Sequence, residues 1–534
     1  MRKFFVLVLF ASLAGCGGGD SGSTGSSAAL QQANVSPAAE TLPPAVTQPS
    51  KETRQSVVAA PQAQAAAETS DIAWIDSQQG VTPFISIVHL AGQSLAAVRT
   101  VRYEVKPKPG SVSQRVRVTY TRQALKRRGR LTDSDLRLPV FGLYAGYANT
   151  VSIRLTFNDG SLQTIDRTLT TAAYTDPNGA YDRPVFIKSR AAGSTLGFDY
   201  FAMKSGLGTP VIVDTDGAIR WVGVSSESSI PSVFTDNGFV IGDRHTTKVR
   251  RLELDGTDSV VPLQFPSGYI RFHHNIDLGK AGLLGNFDLQ TGVESTIAEF
   301  SLSGGVLKTW NFATIVRNHM RNGGDDPTLF VRPRVDWFHT NAAAYDPRDN
   351  SLIVSAREHF VMNVDYETGA IRWLLGDPNK YWWTFPSLRA KALTLTGNGL
   401  YPIGQHAVSI TSDGLLLLFN AGNGSDNQPG GVRGLERNYS AVSAYRIDAA
   451  NKTATEVWRF DYNQSVYSDH CSSVYESAGQ SFLISYAVFC LKKKTRLVGL
   501  NSQHQVVFDF QYDSHGCDTS WNAVPIPLQN MRFE

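Results

Sequence analysis

The sequence predicts an all-β protein, a six-bladed β-propeller preceded by a small N-terminal β-sandwich. Three observations carry the prediction. Glycine (46 of 534 residues) and aromatics (10%) are frequent, and no long helical periodicity appears. Short segments alternating apolar and polar residues begin at Asp71. A strand, a turn holding Asp or Gly, and a strand carrying an aromatic then recur as a unit through the C-terminal part of the chain.

Residues 1–15 read as a signal segment. Met1-Arg2-Lys3 is positive, and the apolar run from Phe4 to Leu13 is too short to span a bilayer. It ends in Leu13-Ala14-Gly15-Cys16, which resembles a bacterial lipobox and implies cleavage before a lipid-bearing Cys16. No later stretch reaches transmembrane length, so the lipid is the expected anchor. Residues 16–70 are Gly/Ser-rich and then Ala/Gln/Pro-rich, with too little apolar area to offset ordering, and read as a tether. The expected location is the periplasm-facing cell envelope, on the outer membrane. A net charge of +3 favours neither nucleic acid nor an acidic membrane as partner.

Residues 71–175 are expected to form the sandwich. FISIVHL (84–90), VRYEVK (101–106), RVRVTY (115–120) and NTVSIRLTF (149–157) alternate, and the Asn158-Asp159-Gly160 turn leads into LQTIDRTL (162–169). The basic run Lys126-Arg127-Arg128 reads as a solvated loop.

Residues 176–534 carry the repeat. It appears as VIVDTDGAIRWVG (211–223), EFSLSGGVLKTWNF (299–312), NVDYETGAIRWLLG (363–376), YRIDAANKTATEVWRF (445–460) and GLNSQHQVVFDFQ (499–511), with a weaker copy at RRLELDGTDSVVPLQF (250–265). A second hairpin precedes most copies, giving roughly six four-stranded units, the composition of a propeller. Lys380 to Gln405 reads as an insertion.

In a propeller the first strand of each blade lines the central channel. His274, His339, His406 and His470 each precede or open such a strand in successive repeats, so their imidazoles converge. His470 is the weakest member, beside Cys471. His273 is expected to face the opposite side of its strand. Arg357 follows the second strand of the blade carrying His339. GFVIGDRH (238–245) parallels SLIVSAREH (351–359), which places Arg244 in the first blade as Arg357 is placed in its own. Asn341 shares the face of His339.

Imidazoles beside a guanidinium form a receptor for a tetrahedral oxyanion. Zinc is the competing use of three histidines, but no acidic cluster or cysteine pair is evident beside them and the arginine opposes a cation, so no metal and no cofactor is expected. Transfer of an anionic group is favoured, with one histidine as nucleophile and another as acid or base. Cys471, Cys490 and Cys517 leave one thiol unpaired; Cys471–Cys490 would brace one sheet and Cys490–Cys517 would link two, and the sequence does not choose.

DWFHTN, SLIVSAREH, VDYETGAIRWLLGD, GQHAV and LLLLFNAGNG, in that order, resemble the bacterial aryl sulfotransferases that act without 3′-phosphoadenosine 5′-phosphosulfate. The resemblance extends through FHHNID, YSAVSAYRID, EVWRF and the N-terminal GLYAGYANTVSI. It implies a six-bladed propeller behind a small β-domain. It also implies ping-pong transfer of a sulfuryl group from a phenolic ester to a phenol through a sulfohistidine. By it His406 is the nucleophile and His339 the acid/base. Arg357 binds sulfate, and His274 and Asn341 are further donors. Phenolic donor and acceptor are the implied partners, with homo-oligomers a family tendency. The family pattern also implies a cysteine pair shortly after the nucleophile; none lies near His406, and lipidation departs from soluble periplasmic relatives. A sulfate ester hydrolase on the same site and a non-enzymatic scaffold lipoprotein are the rivals. Tyr381-Trp382-Trp383 reads either as a blade-top patch or as an aromatic lid.

Overall fold

Strands of two kinds build the protein. Val98–Val105 and Ala148–Phe157 alternate buried and open positions, the signature of sheets covered on one face. Ser351–Ala356 and Leu416–Asn420 are buried at every position, so their sheets are covered on both faces. The computed structural model describes residues 71–224 and 227–534; the signal segment, Cys16 and the tether at 16–70 lie outside these. The described chain is all-β, with three short α-helices, and among these residues no helix is long and apolar enough to cross a membrane.

The N-terminal region forms a three-stranded and a five-stranded sheet sharing one core, lined by Val88, Leu138, Val101, Tyr103 and Val118. That core continues into Tyr200, Ile212 and Trp221 of the next region. Met531–Phe533 at the C-terminus pairs in parallel with Val116–Thr121 of the five-stranded sheet. Lys126 and Arg127 do not lie in a loop. They end the helix Arg122–Arg127, whose first turn is capped by Thr121 Oγ1 accepting from the Ala124 amide at 3.1 Å.

Six sheets, each with four antiparallel strands, follow in chain order. Their first strands lie one against the next: Ser232–Thr235, Tyr269–Leu278, Thr340–Asp346, His406–Ile410, Ser473–Ser477 and Asn522–Pro525. The last of these belongs to the first sheet, pairing with Tyr200–Lys204 ahead of Val211–Asp214 and Ile219–Val222. The C-terminal end of the chain therefore completes the sheet begun some three hundred residues earlier. A disulfide between Cys471 and Cys517 ties the lead-in of Ser473–Ser477 to the lead-in of that completing strand. This is neither of the two pairings weighed from sequence, and among the described residues no cysteine is free.

The insertion after Lys380 supplies Thr394–Thr396 as a fifth, outer strand beside Thr453–Phe460, and Val185–Lys188 does the same for the last sheet. Trp382 is buried against Phe360 and donates from Nε1 to the Asp377 carbonyl at 2.9 Å, so it belongs to the core, while Tyr381 and Trp383 beside it are half-buried.

Candidate active site

Three of the first strands share an irregularity at their histidines. Pairing slips between Phe272 and Ile276, between Thr340 and Ala342, and between His406 and Ser409. Such bulges interrupt the alternation of side chains and re-aim them. His339 has φ 56° and Ala407 has φ 52°, left-handed conformations that cost a β-carbon-bearing residue about 1–2 kcal/mol. The rings converge as a result: His274 lies 4.6 Å from His339 and 6.5 Å from His406 between ring centroids. His273 joins them. Its ring is 4.0 Å from that of His274 because the slip spans both residues, which corrects the expectation that it faces away.

Carboxylates hold this cluster, contrary to the sequence expectation that none lies nearby. His339 Nδ1 sits 2.5 Å from Asp336 Oδ2 and 2.8 Å from Glu294 Oε2. Glu294 Oε1 takes the Nε2 proton of His273, whose Nδ1 faces Nδ1 of His274. The two carboxylates push the His339 imidazole up to about 9 against the opposing effect of burial, so it is a cation at neutral pH. Glu294 is held below the usual carboxylate range by its two histidines. His273, His274 and Glu294, and likewise Glu294, Asp336 and His339, bring their ligand-type atoms within 4.8 Å of one another. Imidazole nitrogens tie His273 to Glu294 and His339 to Asp336, while Glu294 Oε2, 2.8 Å from His339 Nδ1, and Asp336 Oδ1 are buried without a hydrogen-bond partner.

His406 is different. Its Nδ1 donates to the Gly404 carbonyl at 2.9 Å, which leaves the Nε2 lone pair unoccupied. Burial, with Arg357 and His339 nearby, keeps the ring well below its ordinary pKa and therefore neutral. Gly404 has φ 59°, and a β-carbon there would meet the Asn423 carbonyl at 2.7 Å, so only glycine presents that acceptor. Between them, Gln405 donates from Nε2 to the Ala356 and Phe360 carbonyls at 2.9 and 3.1 Å. Its own carbonyl accepts from Asn341 Nδ2 at 2.8 Å and Ser355 Oγ at 3.1 Å. Asn341 thus spends one N–H on positioning the loop that carries His406, and its buried Oδ1 has no partner.

Arg357 is 4% exposed; it donates to Glu358 Oε1 at 2.8 Å and to Asp426 Oδ2 at 3.2 Å. Its Nε and one N–H on each terminal nitrogen remain for a ligand. Glu358 Oε2 accepts from the amides of Asp426 and Asn427 at 3.0 and 2.8 Å, fixing the loop across the site. Burial pushes the neighbouring Lys380 down to about 8, and its Nζ donates to the Glu358 carbonyl. Arg244 follows the second strand of the second sheet, not the first; its side chain reaches solvent, yet partial desolvation of the guanidinium and the nearby Arg271 lower its pKa, and its charge is among those that keep His274 neutral. His470 makes no ring contact with these histidines; its side chain is 42% exposed and paired with Asp469, though its charge still bears on His406.

Sequence reasoning missed Glu294, Asp336 and Trp521. Trp521 immediately precedes the completing strand, the place His339 holds in its own sheet, and its ring lies 5.1 Å from His274. Asp336, three residues before His339, carries a local Asp-x-x-His signal. Nothing in sequence marks Glu294, which reaches the site because its sheet packs on Thr340, whose Oγ1 donates to the Glu294 carbonyl.

With the geometry in view, comparison with known proteins is informative. Residues 177–522 match the family Arylsulfotransferase (ASST), and residues 81–173 match the Arylsulfotransferase Ig-like domain. The chain belongs to the arylsulfotransferase family. Among curated proteins it is similar to the arylsulfate sulfotransferase AssT of Escherichia coli O6:H1, at 29% identity over 147 residues, and to AssT of Lelliottia amnigena, at 26% over 147 residues. Each match covers 25% of this chain and spans only 24% of the relative's length. Of solved structures, the beta-propeller domain of Cps50 from Myceliophteria thermophila overlaps 62% of this chain and 99% of its own at 11% identity and a TM-score of 0.32.

Proposed function

We propose that this arylsulfotransferase moves a sulfuryl group from a phenolic sulfate ester to a phenol through a covalent intermediate on His406. The observation that carries this is the asymmetry of the cluster: one neutral imidazole with Nε2 free, beside one protonated imidazole and a buried guanidinium. His406 Nε2 attacks sulfur, the bond from sulfur to the aryl oxygen breaks, and the phenolate leaves with the electron pair. His339, charged at rest, gives that oxygen its Nε2 proton. In the second half-reaction the acceptor phenol attacks sulfur and returns a proton to His339. The N–S bond breaks, and its electron pair goes back to Nε2.

Phenolates leave readily, so the main requirement is to hold the negative charge spread over the sulfuryl oxygens. Arg357, with three N–H groups uncommitted, fits that role, and His274 lines the same space. Asn341 serves as a support of the His406 loop as well as a donor. The six sheets are read as the blades of a propeller closed by Asn522–Pro525, the sheets over 71–175 as an Ig-like sandwich, and Cys16 as a lipid anchor on the periplasmic side of the envelope.

Intact mass after mixing with an aryl sulfate and no acceptor tests the reading. A gain of one sulfuryl group is expected, and it should vanish in His406→Asn. An unmodified mass in the unsubstituted protein, with phenol released, would assign the chemistry to direct hydrolysis and sink the covalent route.

A further inference from the structure

We infer that Glu294 is the positioning residue that keeps His339 cationic and aligns His273 and His274 with it; this rests on the reading above. Glu294 sits at the start of the strand Gly292–Phe300, in the sheet that also carries His273 and His274, and His339 opens the next sheet. Its two oxygens face different partners: Oε1 meets His273 Nε2, and Oε2 lies 2.8 Å from His339 Nδ1 and 3.9 Å from His274 Nδ1. One carboxylate therefore joins all three imidazoles across the gap between two sheets. Its backbone is committed to the same task. Residue 294 adopts φ 45°, its amide donates to Asp288 Oδ1 at 2.9 Å, and its carbonyl accepts from Thr340 Oγ1 next to His339. A left-handed glutamate anchored at both ends is a conformation the surroundings enforce.

The consequence follows from elementary hydrogen bonding. With Nδ1–H of His339 donated to Asp336 and the Glu294 carboxylate 2.8 Å from the same nitrogen as a counter-charge, the proton available for transfer is on Nε2, at the far side of the ring. His273, using Nε2–H for Glu294, presents Nδ1 as acceptor to His274 Nδ1–H, which fixes the His274 tautomer as well. The other groups facing His339 are His273, His274 and His406, and Arg357, whose amide donates to the His339 carbonyl. Glu294 and Asp336 supply the negative charge beside that ring, and Glu294 alone also reaches His273 and His274.

Glu294→Gln retains size and removes the charge. Losing one of two carboxylates should lower the His339 titration midpoint by about one to three pH units. Two measurements read it. In histidine-labelled protein, the His339 imidazole resonance, assigned by its absence in His339→Gln, should titrate at lower pH in Glu294→Gln. The alkaline limb of kcat/KM for aryl sulfate cleavage should move the same way, with the rate at pH 8 reduced about twofold for a one-unit shift and about tenfold for a two-unit shift, and partial recovery in Glu294→Asp. A His339 midpoint unchanged in folded Glu294→Gln would overturn the proposal. So would a stoichiometric divalent metal in the purified protein that is lost with Glu294, since the histidines would then be held by an ion rather than by protons. The resonance measurement needs no turnover, so failure of the sulfuryl-transfer reading appears separately, as a missing adduct on His406.

Discussion

Arg357→Lys separates charge from geometry at the proposed oxyanion receptor. The native guanidinium spends one N–H on Glu358 and one on Asp426, and its three other N–H groups, in a planar fork, are those proposed to meet the sulfuryl oxygens. Lysine preserves the positive charge but cannot reach Glu358, Asp426 and a sulfuryl oxygen together. Losing one preorganised donor in a water-poor site removes about 2.7–4 kcal/mol of transition-state stabilisation, or about 10²–10³ in kcat. The structural cost is smaller. Glu358 Oε2 still accepts the Asp426 and Asn427 amides, and the Asp426 carboxylate is 41% exposed, so that ion pair is worth about 0–1 kcal/mol. Arg357→Ala is the less informative variant, because it strands the fully buried Glu358 and adds about 3–5 kcal/mol of destabilisation. The assay is initial-rate phenol release from an aryl sulfate with saturating acceptor, alongside thermal unfolding. A kcat/KM for Arg357→Lys within about threefold of the unsubstituted enzyme would refute the assignment of Arg357 to the transition state.

Two further outcomes are expected. Gln405→Leu removes the side-chain donor to the Phe360 carbonyl and one of the two donors to the Ala356 carbonyl, which keeps the His359 amide; the loss should cost about 1–3 kcal/mol and loosen His406. Chemical denaturation should register the loss, and kcat should fall more than KM rises. Reduction of Cys471–Cys517, or replacement of both by serine, reopens a loop of 46 residues and should cost up to about 4 kcal/mol by chain entropy. A lowered unfolding temperature, with greater proteolytic sensitivity near Asn522–Pro525, is the readout; an unchanged unfolding temperature would show that the strand alone holds that sheet.

The sequence by itself determined the all-β class, the hairpin repeat and the register that brings His274, His339 and His406 together. Strand period and turn chemistry are local, so they are written in consecutive residues. It also flagged Arg357, because SLIVSAREH follows its histidine strand directly. Register alone treated the histidines as equivalent, and only the family resemblance separated His406 from His339. The tertiary structure adds the physical distinction, because a histidine's proton inventory depends on what packs against each ring nitrogen. His406 meets a glycine carbonyl, whereas His339 meets two carboxylates, one of them from the preceding sheet. The bulge that turns His273 inward and the return of residues 522–525 to the first sheet were invisible for the same reason. The return pairs with Tyr200–Lys204, far away in the chain, whereas the bulge lies in the local hairpin with Leu283–Leu289, where alternation alone predicts no slip; both depend on side-chain packing that exists only once the sheets are in place.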